Sequence, residues 1–232
     1  YDGTFDRMYE TFSSVYNVEI ADIPFKITRA PQSKYYETAP ENENISVDVE
    51  ILPEYEDQIT YQWYVTDELE YSASDDSYSP LNGWSKAENV NTSSLKLPSD
   101  LSGGENRIYT CYVNCNGYSI YTDFAAFTFG KGTPSYLSTD SGFTLYAHGN
   151  DCTVTMASYS GKTLKDVKTV TLSADEGVMG ISPQKLGLNA ENATKVKTFV
   201  WGGFDTMTPF MKAPQSPFAK KVDVMVDDSG IT

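Results

Sequence analysis

Basic residues, histidine and cysteine are all scarce in this chain, and each scarcity removes a class of function. Seventeen Lys and Arg stand against 32 Asp and Glu, a formal net charge of −15 over 232 residues. Such a surface repels phosphate backbones and anionic lipid, which argues against nucleic acid as a partner. One histidine, His148, leaves little material for a His-based nucleophilic triad or a multi-histidine metal site. Three cysteines cannot all pair within one chain, and Cys111-x-x-x-Cys115 without a further Cys or His cluster falls short of a zinc site. No apolar run approaches the ~20 residues of a membrane-spanning helix. No Asp-x-Asp-x-Asp-Gly calcium loop is present, and nothing in the composition calls for a cofactor. The chain opens at Tyr1 with neither Met nor a charged-then-apolar leader, as a mature or excised piece of a longer protein would.

Aromatic residues, by contrast, are plentiful. Seventeen Tyr and 11 Phe favour half-buried strands, and the length exceeds one ordinary sandwich of roughly 100 residues. The expectation is a mostly β chain of tandem antiparallel β-sandwiches. Apolar periodicity divides it further. Phe5, Met8, Tyr9, Phe12, Val15 and Tyr16 fall on one helical stripe, so residues 1–23 read as a short N-terminal helical segment. From Phe25 the period becomes two. Phe25-Ile27, Ile45-Val47-Val49-Ile51 and Ile59-Tyr61-Trp63-Val65 predict three strands, and residues 94–97, 108–113 and 118–129 predict three more. Asn116-Gly117 is a hairpin turn between the last two, since both residues tolerate positive φ. Residues 66–91, rich in Ser and Asp and broken by Pro80 and Asn82-Gly83, read as a polar loop with at most short edge strands. A polar stretch at residues 131–138 reads as a linker. Residues 139–232 then form a second, smaller β-sandwich with a C-terminal extension ending on Val222-Val224-Val226.

Tyr61-Gln62-Trp63-Tyr64, Thr92-Ser93-Ser94-Leu95 and Tyr109-Thr110-Cys111-Tyr112-Val113, in that order, make residues 24–130 similar to the bacterial immunoglobulin-like domains found in tandem in secreted and cell-surface proteins. In that architecture Trp63 is swallowed between two sheets, and Tyr109 turns the corner before Cys111 by bonding back to backbone. The earlier cysteine of an antibody-type disulfide is missing; Val47 and Val49 stand in its strand, so this sandwich must hold by packing alone. Residues 139–213 resemble a small β-domain that recurs in large secreted proteins of Gram-positive bacteria, often beside polysaccharide-degrading or adhesive modules. Ala157-Ser158-Tyr159-Ser160-Gly161-Lys162-Thr163-Leu164, Val196-Lys197-Thr198-Phe199-Val200-Trp201 and Thr206-Met207-Thr208-Pro209 carry that resemblance. Gly202-Gly203 departs from it, since an acidic residue more often follows the Trp there. The two resemblances imply an extracellular or cell-surface setting and an accessory role. Phe199 and Trp201 are expected in the second core.

The acidic residues Asp67, Glu68, Glu70, Asp75 and Asp76 all lie in the polar 66–91 segment, where solvated charge is a better reading than an acid–base pair. An enzyme is therefore disfavoured. The same segment holds Tyr71, Tyr78 and Trp84, whose rings would offer a platform to the C–H face of a sugar unless Trp84 folds back to cap the sandwich edge. Two functions remain. One is a non-catalytic spacer or adhesin-like scaffold of a secreted or surface-attached multidomain bacterial protein, with its own neighbouring domains, a polysaccharide or a host or cell-surface protein as partners. The alternative is a carbohydrate-binding accessory module of a polysaccharide-degrading enzyme, working through those three rings.

Overall fold

A computed structural model describes residues 23–139, 142–202 and 209–210. The expected helix in residues 2–16 and the terminal strand at Val222-Val224-Val226 lie outside the described residues. What is described is mostly β. Among these residues no helix is long and apolar enough to cross a membrane.

The first sandwich is built from β1 (Phe25–Arg29), β2 (Lys34–Tyr36), β3 (Asn44–Ser46), β4 (Asp48–Ile51), β5 (Thr60–Thr66), β6 (Leu69–Ser72), β7 (Ser77–Pro80), β8 (Ser85–Lys86), β9 (Ser94–Lys96), β10 (Glu105–Cys115), β11 (Tyr118–Tyr121) and β12 (Ala125–Phe129). Its larger sheet runs β2-β12-β10-β5-β8, with β11 also paired to β10; the ladders β1-β4 and β3-β9 supply the facing layer. Among the described strands only β2 joins in parallel, to β12. Two expected strands are divided. The residues 45–51 strand is interrupted at Val47, whose amide donates to the Ser93 carbonyl at 2.9 Å, so one half pairs with β9 and the other with β1. The residues 118–129 strand is interrupted at Thr122, whose hydroxyl accepts from the Cys111 amide at 3.0 Å.

Alternation along β5 and β10 sends Trp63, Cys111, Val113 and Cys115 into one core with Val47, Leu97, Phe127 and Phe129. Trp63 is fully buried, sits opposite Cys111 in the ladder, and donates its indole N–H to the Thr92 carbonyl at 2.9 Å. Tyr109 is buried too, but differs from expectation in how it is held. Its ring meets the edge of Phe127 at 5.9 Å, and among the described residues its hydroxyl finds no backbone acceptor. The corner is fixed by ring packing instead of a phenol latch.

The second sandwich comprises β13 (Ser135–Ser138), β14 (Phe143–Tyr146), β15 (Cys152–Ser160), β16 (Thr163–Leu172), β17 (Val178–Ile181) and β18 (Lys195–Trp201), arranged as two three-stranded sheets, β13-β14-β17 and β16-β15-β18. Phe143, Leu145, Val154, Met156, Ile181 and Val200 fill the space between them.

Two expectations are corrected here. The residues 131–138 stretch is not a free linker: Ser135–Ser138 pairs along β14, because Tyr136 packs on the second core and Leu137 on the boundary between sandwiches. Just before it the backbones of the two halves are pressed together. A Cβ on Gly132 would come within 2.6 Å of the Gly103 carbonyl oxygen, and the Gly132 amide donates to the His148 carbonyl at 2.9 Å. The second correction concerns Phe199 and Trp201. Val196, Thr198 and Val200 take the inward side of β18, so the period of two turns Phe199 and Trp201 outward; Phe199 is 38% exposed and Trp201 half-buried.

Candidate functional site

A set of polar contacts joins the two sandwiches where they meet. The β6-β7 hairpin leaves the first sandwich and lies along the sheet β13-β14-β17 of the second. Leu69-Glu70-Tyr71 alternates, so Leu69 and Tyr71 face the second sandwich while Glu70 faces out. Tyr146 grips the hairpin from below: its hydroxyl accepts from the Leu69 amide at 2.7 Å and donates to the Leu69 carbonyl at 2.8 Å. The Tyr71 amide donates to the Thr144 hydroxyl at 3.0 Å, and the Gly180 amide donates to the Tyr78 hydroxyl at 2.8 Å. Leu69, Ile108, Ala126, Tyr146 and Val178 form a third buried cluster drawn from both sandwiches, with Tyr78, Trp84 and Phe124 against it.

The three rings expected to form a sugar platform are therefore spent on this junction. Tyr71 is 1% exposed, packed on Gly180 and tilted against Tyr78 at 5.3 Å; Tyr78 meets Phe124 at 5.0 Å, and Trp84 folds back onto the same cluster. Charge in the segment is engaged as well. Lys185 donates to Asp76 at 2.9 Å and lies 5.0 Å over the Tyr71 ring, while Asp67 pairs with Arg107 at 2.9 Å. The bonds from Lys185 and Tyr71 hold the Asp76 carboxyl below its ordinary range. Burial is the largest single influence and opposes the Lys185 charge, but Asp76 and the Tyr78 hydroxyl together outweigh it and keep that ammonium above the usual lysine value.

A second knot sits beside the hairpin. His148, at a positive φ of 47°, places Nδ1 2.7 Å from the Gly104 carbonyl oxygen and Nε2 2.8 Å from the Ser135 hydroxyl. A carbonyl can only accept, so Nδ1 carries the proton and Nε2 accepts from Ser135. That is the spacing of a nucleophile and its base. A backbone carbonyl stands where catalytic triads place a carboxylate, however, and the adjoining cavity is small, about 190 Å³, lined by Asp67, Glu105, Asn106, Arg107 and Tyr146 among others. A larger cleft of about 440 Å³ lies between Thr66, Glu68, Leu81 and Arg107, with the Asp67–Arg107 pair on its wall.

The thiols carry little nucleophilic character. Cys111, Cys115 and Cys152 are all buried and unpaired, and burial pushes the Cys111 and Cys152 thiols up to about 12. Among the described residues no group of three or more His, Cys, Asp or Glu is placed to hold a metal ion.

Burial also lifts the Tyr146 and Tyr109 hydroxyls to about 12. A raised value means that the folded chain keeps a proton the unfolded chain gives up, so stability is intact below the unfolded value and falls as pH rises past it. From the ordinary 9.0 of the two thiols and 10.0 of the two phenols, the free energy of urea unfolding should fall from about pH 9 upward, by up to about 1.4 kcal/mol per pH unit for each titrating group. Tyr146→Phe should flatten the part of that slope above pH 10. Unfolding free energies constant from pH 7 to 11 would contradict this burial.

No protein-family model matches the sequence, and no curated protein matches it. Among solved structures the chain is similar to the crystal structure of chicken CNTN1 FN1-FN3 domains, at 9% identity and a TM-score of 0.25. That match covers 75% of this chain and spans 61% of the other.

Proposed function

We propose that this chain is a non-catalytic, stiff two-module segment of a secreted or surface-attached multidomain bacterial protein, a spacer or adhesin-like scaffold that presents a neighbouring module. The observation that carries the proposal is the buried cluster shared by both sandwiches. Two modules joined by a short polar tether would swivel, whereas modules that share a core and cross-bond their backbones hold their far ends at one separation. The chemistry agrees with a scaffold: both ring nitrogens of His148 are engaged, Asp67 and Asp76 are ion-paired, and two thiols are held protonated. The bacterial and extracellular parts of the reading rest on the resemblances of residues 24–130 and 139–213. The carbohydrate-binding alternative through Tyr71, Tyr78 and Trp84 loses its rings to the junction.

Spin labels at Lys96 and Lys162, exposed positions in different sandwiches, test the stiffness. Pulsed electron resonance should give one narrow distance distribution that persists when unrelated domains are fused to either end. A broad distribution would remove the spacer reading. Surface digestion of intact source cells should release fragments of the chain, and a chain reached only after lysis would remove the surface location.

A further inference from the structure

The outward side of the β16-β15-β18 sheet differs in chemistry from the rest of the molecule. Directly opposed residues of an antiparallel pair share a face, so the ladder register defines four cross-strand rows there. They run from Trp201–Thr153–Thr171 at one end to Lys195–Tyr159–Leu164 at the other. At roughly 6.8 Å between alternate residues and 4.8 Å between strands, the face measures about 20 Å by 10 Å. No Asp or Glu occupies any of its positions, in a chain with 32 of them. Among the paired positions its charges are Lys195 and Lys197, with Lys165 at the bulge beside Leu164, and none of the three makes an ion pair among the described residues.

Three kinds of group are combined on this face. Phe199 and Trp201 stand as neighbouring near-parallel rings, 5.8 Å apart and inclined by 17°. Beside them the Thr155 and Thr169 hydroxyls touch at 3.0 Å, each with capacity to bond a further polar group. Lys197 reaches over the Tyr159 ring at 5.4 Å, and Val167 beside it is 44% exposed. Phe199, Val167 and Leu164 are exposed large apolar side chains on this one sheet face, around a central strand whose Thr153 and Ala157 are buried, and such grouping marks an interaction surface. The mixture specifies the partner. Rings suit the C–H side of a pyranose, hydroxyls suit its hydroxyls, and two ammonium groups without a competing carboxylate suit an acidic substituent.

We propose that this face binds a carboxylate-bearing polysaccharide, with Phe199 as ring contact and Lys195 and Lys197 as anion contacts. The protein's overall charge would repel such a polymer, so binding is confined to the one acid-free face and weakens with salt. The site stands apart from the junction, and the spacer reading holds or fails independently of it.

Affinity electrophoresis of the whole chain tests it, with polygalacturonate, alginate or hyaluronan in the gel, and neutral cellohexaose and poly-L-glutamate as controls. At least one polyuronate should retard the chain, and retardation should fall when salt is raised. Phe199→Ser should weaken binding about ten-fold, the scale of one good ring contact, and the charge-reversed Lys195→Glu/Lys197→Glu pair should abolish it. All these side chains are exposed, so circular dichroism and the melting temperature should be unchanged. No retardation by any polyuronate overturns the proposal, as does equal binding by the variants. Equal binding of cellohexaose overturns the anion contacts. Equal retention by poly-L-glutamate overturns the sugar and points to an acidic polypeptide as the occupant.

Discussion

Replacing Trp63 by Ala should cost about 3–5 kcal/mol of unfolding free energy, the range for removing a large aromatic from a closed core. Its ring is fully buried, and it is anchored by the indole bond to Thr92 at 2.9 Å in addition to its contacts with the facing layer. Removal therefore leaves both a cavity and an unpaired carbonyl. No disulfide limits the loss, since Cys111 opposite it is a free thiol with Val47 in the facing layer. Against a typical domain stability of about 5–15 kcal/mol, such a loss places the variant near unfolding at body temperature. Urea titration read by far-ultraviolet circular dichroism measures it. Trp63→Phe separates the contributions, because it keeps most of the apolar volume and loses only the N–H donor. That variant should fall between wild type and the Ala form. A loss below about 1 kcal/mol for Trp63→Ala would mean that the ring does not close this core.

The strands around Trp63 were legible because their cause is local. Ile59-Tyr61-Trp63-Val65 alternates over a full strand length, and its other phase holds Thr60, Gln62 and Thr66 with Tyr64 as the single ring. β18 shows how the same signal misleads. Lys195-Val196-Lys197-Thr198-Phe199-Val200-Trp201 alternates just as clearly, but the two large rings draw attention to the wrong phase. Lys195 and Lys197 share that phase, and two unpaired ammonium groups cannot be placed inside a sandwich. The small Val-Thr-Val phase must then be the buried one. The signal that would have placed Phe199 and Trp201 outside was thus present in their own strand.

Residues 66–91 were illegible for a different reason. Leu69 and Tyr71 lie on a strand of four residues within Ser- and Asp-rich surroundings, and their burial depends on groups supplied from far along the chain: Thr144, Tyr146 and Gly180. No window around the hairpin contains those partners. The fold class was visible because strand periodicity is a property of neighbours. The junction was not, because it is a meeting of two sheets.

The tightest fit at that junction surrounds one missing methyl group. A Cβ on Gly180 would overlap the ring of Tyr71. That ring has nowhere to go: its hydroxyl is bonded to Asp76 at 2.9 Å, its backbone amide to Thr144 at 3.0 Å, and Lys185 covers it at 5.0 Å. Gly180→Ala should therefore cost about 1–3 kcal/mol by overpacking, and Tyr71→Ala about 3–5 kcal/mol by cavity formation. The cause can be isolated by combining them. If the Ala methyl harms only by striking Tyr71, then Gly180→Ala should cost almost nothing in a Tyr71→Ala background, a coupling of about 1–3 kcal/mol. A structural role for Gly180 elsewhere in β17 would instead give additive losses. Unfolding cooperativity supplies a second readout. The wild-type chain should lose both sandwiches in one transition, because each buries part of the other's core. The Tyr71→Ala chain should separate into two, the first reporting on whichever sandwich depends more on the shared cluster. Two separate transitions in the wild type would mean that the cluster contributes too little to join them.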